Sequence, residues 1–73
     1  MDDWAAGLPE EQRLAIVVEV LFDECLRRGS LPIAEVERRA REKGVSAEDV
    51  LYELGVTEGF EVDRRAGVVR CRR

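Results

Sequence analysis

Ala40, Gly44, Val45 and Val50 stand at the spacing Ala-x3-Gly-Val-x4-Val, and no other feature constrains the fold of this chain as strongly. A small residue lets two helices touch, a glycine takes the left-handed backbone of a tight turn, and the two valines close the angle from inside. The spacing predicts two short helices meeting at Gly44. The second has a clear start: Ser46 as N-cap, Asp49 three residues on as a shortened capping-box acid, and Val45 placed to staple against Val50. Its inward face is Val50, Leu51 and Leu54, and it ends at Gly55 or Gly59, with Gly59 favoured. The first of the pair follows Ser30, with Pro32 near its start and Ile33, Val36 and Ala40 on one face.

A longer helix precedes the pair. Leu8-Pro9-Glu10-Glu11 presets its first turn and sets two acids at the positive end of its dipole, and Arg27-Arg28-Gly29 stops it after roughly twenty residues. Leu14, Val17, Val18, Leu21 and Cys25, with the neighbouring Phe22 and Leu26, recur at helical spacing. The run Ile16 to Val20 has the β-branched content of a strand, but length and both end signals favour a helix that is buried widely. After the pair, Phe60-Glu-Val-Asp-Arg-Arg-Ala-Gly-Val-Val-Arg-Cys is two alternating runs about a turn containing Gly67, the pattern of a β-hairpin. Phe60, Val62, Val69 and Cys71 face the helices, while Glu61, Arg70 and Arg72 face water. Two strands alone are marginal, so the hairpin is expected to lie on the helices.

With 73 residues the chain has room for one core, read as a single domain over residues 9–73 after a short tail over residues 1–8. At 45% hydrophobic and 38% charged it carries enough apolar material to collapse. It has no histidine, no phosphate loop, no GxSxG and no spaced set of ligands, so neither catalysis, metal nor cofactor is expected. The adjacent acids Glu10-Glu11 and Glu48-Asp49 read as helix-start acids. Cys25 and Cys71 are isolated from each other in sequence. Reduced thiols in a cytoplasmic protein are the expectation, since no signal peptide is recognisable, with one disulfide between them as the alternative. The run Leu14 to Val18 falls far short of the ~20 apolar residues that span a bilayer.

Net charge is −4, which on its own disfavours a nucleic-acid partner. The average hides alternating blocks. Residues 1–26 hold seven acids against Arg13, residues 27–45 hold six bases against three acids, residues 46–62 hold five acids and no base, and residues 63–73 hold five arginines against Asp63. The two basic blocks carry enough charge to form a surface of their own.

Helix, helix-turn-helix and hairpin in this order resemble a winged helix. The expected fold is therefore α+β: a winged helix-turn-helix with three helices followed by a two-stranded β-hairpin. Among winged helices, one stretch is similar to the C-terminal domain of archaeal minichromosome-maintenance (MCM) helicases. It is Leu31-Pro-Ile-Ala-Glu-Val-Glu-Arg-Arg-Ala-Arg-Glu-Lys-Gly-Val-Ser-Ala-Glu-Asp-Val-Leu, followed by Glu58-Gly-Phe-Glu-Val and a glycine turn before Val68-Val-Arg. The resemblance implies a small accessory domain that modulates a helicase or reads a partner and performs no catalysis itself.

An ordinary DNA reader places arginine, lysine, asparagine or glutamine on the outward face of its third helix. Here that face is Glu48, Asp49, Tyr52 and Glu53, whose carboxylates repel phosphates. These four are the candidate protein-binding residues, with Tyr52 either part of the acidic face or half-buried beside the hairpin. The candidate DNA-binding residues are Arg64, Arg65, Arg70 and Arg72 of the wing, which suit phosphates or a minor groove and equally suit a solvated edge that blunts strand aggregation. Trp4 reads as an anchor over the core end or as an exposed contact. The expected function is that of a non-catalytic accessory module in replication or transcription, binding a protein of that complex, with at most weak contact of duplex or single-stranded DNA through the wing. A sequence-specific regulator reading DNA with the third helix is the alternative. A homodimer is a further arrangement the charge blocks allow, and no membrane is involved.

Overall fold

The computed structural model describes residues 7–71; the readings of Trp4 and Arg72 lie outside the described residues. Pro9 caps the first helix, α1 (Glu10–Arg28), its carbonyl accepting from the backbone N–H of Gln12 and of Arg13 at 3.1 Å each. The helix stops where Gly29 turns left-handed at φ 87° and its N–H reaches the Cys25 carbonyl at 2.7 Å. β1 (Ser30–Pro32) follows, then α2 (Ile33–Glu42), α3 (Ala47–Val56), β2 (Phe60–Asp63) and β3 (Val68–Cys71).

The motif at Gly44 folds as its spacing predicts. Gly44 takes φ 70°, the Val45 N–H turns back to the Ala40 carbonyl at 3.0 Å, and both Ala40 and Val45 are buried. Ser46 caps α3, its Oγ accepting from the Asp49 N–H at 3.3 Å.

The sheet corrects the sequence reading: it has three antiparallel strands in the order β1-β3-β2, where a two-stranded hairpin was expected. Ser30, Leu31 and Pro32 pair with Arg70, Val69 and Val68. Three residues are too few to show alternation, and Pro32 reads as a helix start; a proline is nonetheless tolerated on an edge strand, where its missing N–H costs no ladder bond. Consequently α2 begins at Ile33, and Leu31 joins the fully buried core beside Val69. The hairpin register pairs Phe60, Glu61, Val62 and Asp63 with Cys71, Arg70, Val69 and Val68. That register sets Phe60 and Val69 inward and Glu61 and Arg70 outward, as alternation predicts. The Phe60 ring stacks on Phe22 of α1 with centroids 4.7 Å apart.

Two further expectations are corrected. α1 is less widely buried than its β-branched run suggests: Val17, Val18, Leu21 and Cys25 are buried, but Val20 and Leu26 stand in solvent. α3 ends at neither glycine. It continues through Gly55 to Val56 and stops at Thr57, whose backbone is extended and whose Oγ1 donates to the Glu53 carbonyl at 2.8 Å. Gly55 sits beside β2, with Val62 Cγ2 3.6 Å from the place a Cβ would occupy, an ordinary van der Waals contact.

Candidate protein and nucleic-acid interfaces

The turn joining β2 and β3 is tightly held. Asp63 Oδ1 accepts from the Ala66 N–H at 3.0 Å, the Gly67 N–H donates to the Asp63 carbonyl at 2.9 Å, and the Gly67 carbonyl accepts from the Ile33 N–H at 2.8 Å. The turn is thereby fixed to the start of α2. These bonds and the Arg70 guanidinium hold the Asp63 carboxyl below its ordinary value, the Ala66 N–H being the largest cause.

This geometry decides what the wing arginines reach. Arg64 Nη2 and Nη1 grip Glu48 Oε1 and Oε2 at 2.9 and 3.3 Å, tying the turn to the first turn of α3. Arg70 Nη1 is 2.7 Å from Asp63 Oδ2. Of the wing's described arginines, only Arg65 is left without an ion pair. The candidate Arg72 lies outside the described residues.

Much of the first basic block is paired in the same way, although Arg41 makes no ion pair among the described residues. Arg28 bonds Glu35 at 3.0 and 3.1 Å and Glu24 at 3.3 Å, while Arg39 lies 3.7 Å from both carboxylates. Glu24 and Glu35 are mostly covered, so they act as hubs that clasp the end of α1 to α2. Arg38 adds Glu42 at 2.9 Å. Acids of the same block, Glu35, Glu42 and Asp63, and acids of the neighbouring blocks, Glu24 and Glu48, thus both engage the arginines of the two basic blocks.

The acids are not cancelled equally. On α3, Glu48 is taken by Arg64, whereas Asp49 and Glu53 make no ion pair among the described residues. Tyr52 is 67% exposed, which places it on the acidic face and not half-buried beside the hairpin. Val56, one turn on, is 60% exposed and extends that face with an apolar patch the sequence reading passed over. The i, i+4 spacing of Tyr52 and Val56 is the signal that marks it. The structure thus brings Glu48 to the wing and leaves Asp49, Tyr52 and Glu53 facing outward.

Both thiols are free. Cys25 is buried and its Sγ donates to the Val69 carbonyl at 3.6 Å; burial is the main cause that pushes this thiol up from its ordinary value. Among the described residues, no group of three or more His, Cys, Asp or Glu side chains is placed to hold a metal ion, and no helix is long and apolar enough to cross a membrane. Comparison with known proteins finds no matching family model, no matching curated relative and no matching solved structure.

Proposed function

We propose that this chain is a non-catalytic winged-helix module of replication or transcription machinery that works by recognising a protein through the outward face of α3, with at most weak DNA contact through its wing. The element order helix, strand, helix, helix, strand, strand, with the short first strand added to the hairpin, is compatible with a winged-helix frame. The resemblance to the C-terminal domain of archaeal MCM helicases implies the same kind of accessory role.

The observation that carries the reading is the hold of Glu48 on Arg64. A wing that binds phosphates presents free guanidinium groups, and here Arg64 and Arg70 are already engaged by carboxylates of the same chain. A recognition helix that enters the major groove presents donors to base edges; α3 carries no base and presents Asp49, Tyr52 and Glu53. An aromatic side chain flanked by unpaired carboxylates suits a protein surface of opposite charge.

The test is capture of partners from replication or transcription extracts on immobilised wild-type chain and on the Asp49→Lys/Glu53→Lys variant, with bound proteins identified. Exposed substitutions leave folding nearly unchanged, so the thermal midpoints agree within a few degrees. The variant is expected to lose proteins of those complexes that the wild type retains. Identical capture by the two chains contradicts the reading. Glu48 is left out of this variant because reversing it sets a base beside Arg64.

A further inference from the structure

A cleft of about 420 Å³ lies between α1 and α3. Its floor is apolar: Leu14, Ala15, Val18 and Phe22 follow one another along α1 at helical spacing, and Ala15 is exposed. Its charged lining is of one sign. Glu11 and Glu19 of α1 and Glu53 of α3 stand at its edge, no base joins them, and none of the three makes an ion pair among the described residues.

Glu24, Glu35 and Glu48 each pair with a base of another element. Here an apolar stripe is framed by three uncompensated carboxylates across two helices. From Leu14 to Phe22 the stripe spans about 12 Å at the helical rise, the reach of a little over two turns of a docked helix.

We propose that this cleft is a docking groove for a basic amphipathic helix of a partner protein, the apolar face of that helix lying on Leu14, Ala15, Val18 and Phe22 and its lysines and arginines meeting Glu11, Glu19 and Glu53. The proposal rests on the protein-recognition reading above and names the partner's chemistry. Charge complementarity selects the occupant. A nucleic acid is repelled by the rim, and the acidic start of this chain, with Asp2 and Asp3, carries the same sign as the rim. An apolar floor adds what a purely electrostatic contact lacks, since it requires the incoming bases to be set out at helical spacing around an apolar stripe.

The experiment uses the full chain and three synthetic peptides of roughly 18 residues, about five helical turns. One is an amphipathic helix with leucines on one face and lysines and arginines on the other, one is its scramble of identical composition, and one carries glutamates in place of the bases. Backbone amide shifts are followed during titration. The basic amphipathic peptide is expected to move amides around Ala15, Phe22 and Glu53, with the scramble and the acidic peptide binding at least about tenfold more weakly. Ala15→Arg, which fills the exposed floor, and Glu19→Lys/Glu53→Lys, which reverses the rim, should each lower affinity by about tenfold or more with the thermal midpoint held. Equal binding of the scramble, or full binding by both variants, overturns the groove. Binding that survives Ala15→Arg and disappears with Asp49→Lys or Tyr52→Ala also overturns it, and leaves the α3 reading standing. Amide shifts on α1 and α3 that appear on concentrating the protein alone would assign the cleft to a second copy and overturn the peptide occupant.

Discussion

Arg64 spans from the hairpin turn to the first turn of α3 and grips Glu48 with two bonds of 2.9 and 3.3 Å. The two surfaces that the sequence offers as rival sites, a basic wing and an acidic helix, are thus joined and partly cancel. The pair is exposed, with the side chains of Arg64 and Glu48 59% and 73% accessible, so it contributes little to stability and much to what the surface presents.

Releasing that pair has a specific consequence. In Glu48→Gln the guanidinium of Arg64 is freed, whereas Glu53→Gln removes the same charge from α3 without freeing a base. Any residual duplex affinity at low salt is expected to rise more in Glu48→Gln than in Glu53→Gln, and the excess should vanish when Arg64→Ala is added. Equal affinities in the two single variants would mean that the pair does not restrain the wing.

Asp63 organises the turn through the Ala66 N–H and Arg70, and these bonds hold its carboxyl below the ordinary range. A group that binds protons less readily when folded contributes fully above its unfolded value and loses that contribution as acid protonates it through the lowered one. Asp63→Ala is therefore expected to lower the thermal midpoint near neutral pH, and the gap from wild type should close in strong acid. A gap that is constant with pH would contradict this role.

Two glycines should respond in opposite directions to alanine. Gly44 holds φ 70°, so Gly44→Ala is expected to cost about 1 kcal/mol of stability. Gly55 lies inside α3 with ordinary space for a Cβ beside Val62, so Gly55→Ala is expected to add about 0.5–1 kcal/mol through helix propensity. Chemical denaturation of the two variants checks both signs.

The cysteines should react in order. Cys25 is fully buried with its thiol raised by burial, while Cys71 is partly exposed at the end of β3. Alkylation of the native chain followed by mass analysis is expected to label Cys71 first, and Cys25 only when the chain unfolds. Early labelling of Cys25 would contradict the packing of α1 on Val69.

Much of the fold is legible because it is written in local signals. The caps at Ser46 and Gly29, the left-handed turn at Gly44 and the alternation around Gly67 each dictate backbone geometry within a few residues, and all four are seen. What escapes is what only tertiary pairing creates. β1 is three residues long and exists because β3 lies beside it, so neither its presence nor the burial of Leu31 has a periodic signature. Gly55 looks like a helix stop, yet the helix runs through it to Val56 and stops only where Thr57 turns extended. The candidate site was legible as residue types and not as a surface. Which acids remain free depends on Arg64 reaching Glu48 across sixteen residues and Arg39 reaching Glu24 across fifteen.

The most direct test of a protein-reading domain whose Arg64 and Arg70 are already paired is fluorescence anisotropy of labelled duplex and single-stranded DNA, titrated with wild-type chain at ~50 and ~200 mM salt. At most weak binding is predicted at ~50 mM and none at ~200 mM. Submicromolar binding at ~50 mM that disappears in Arg64→Ala/Arg65→Ala would contradict it and return the function to the wing.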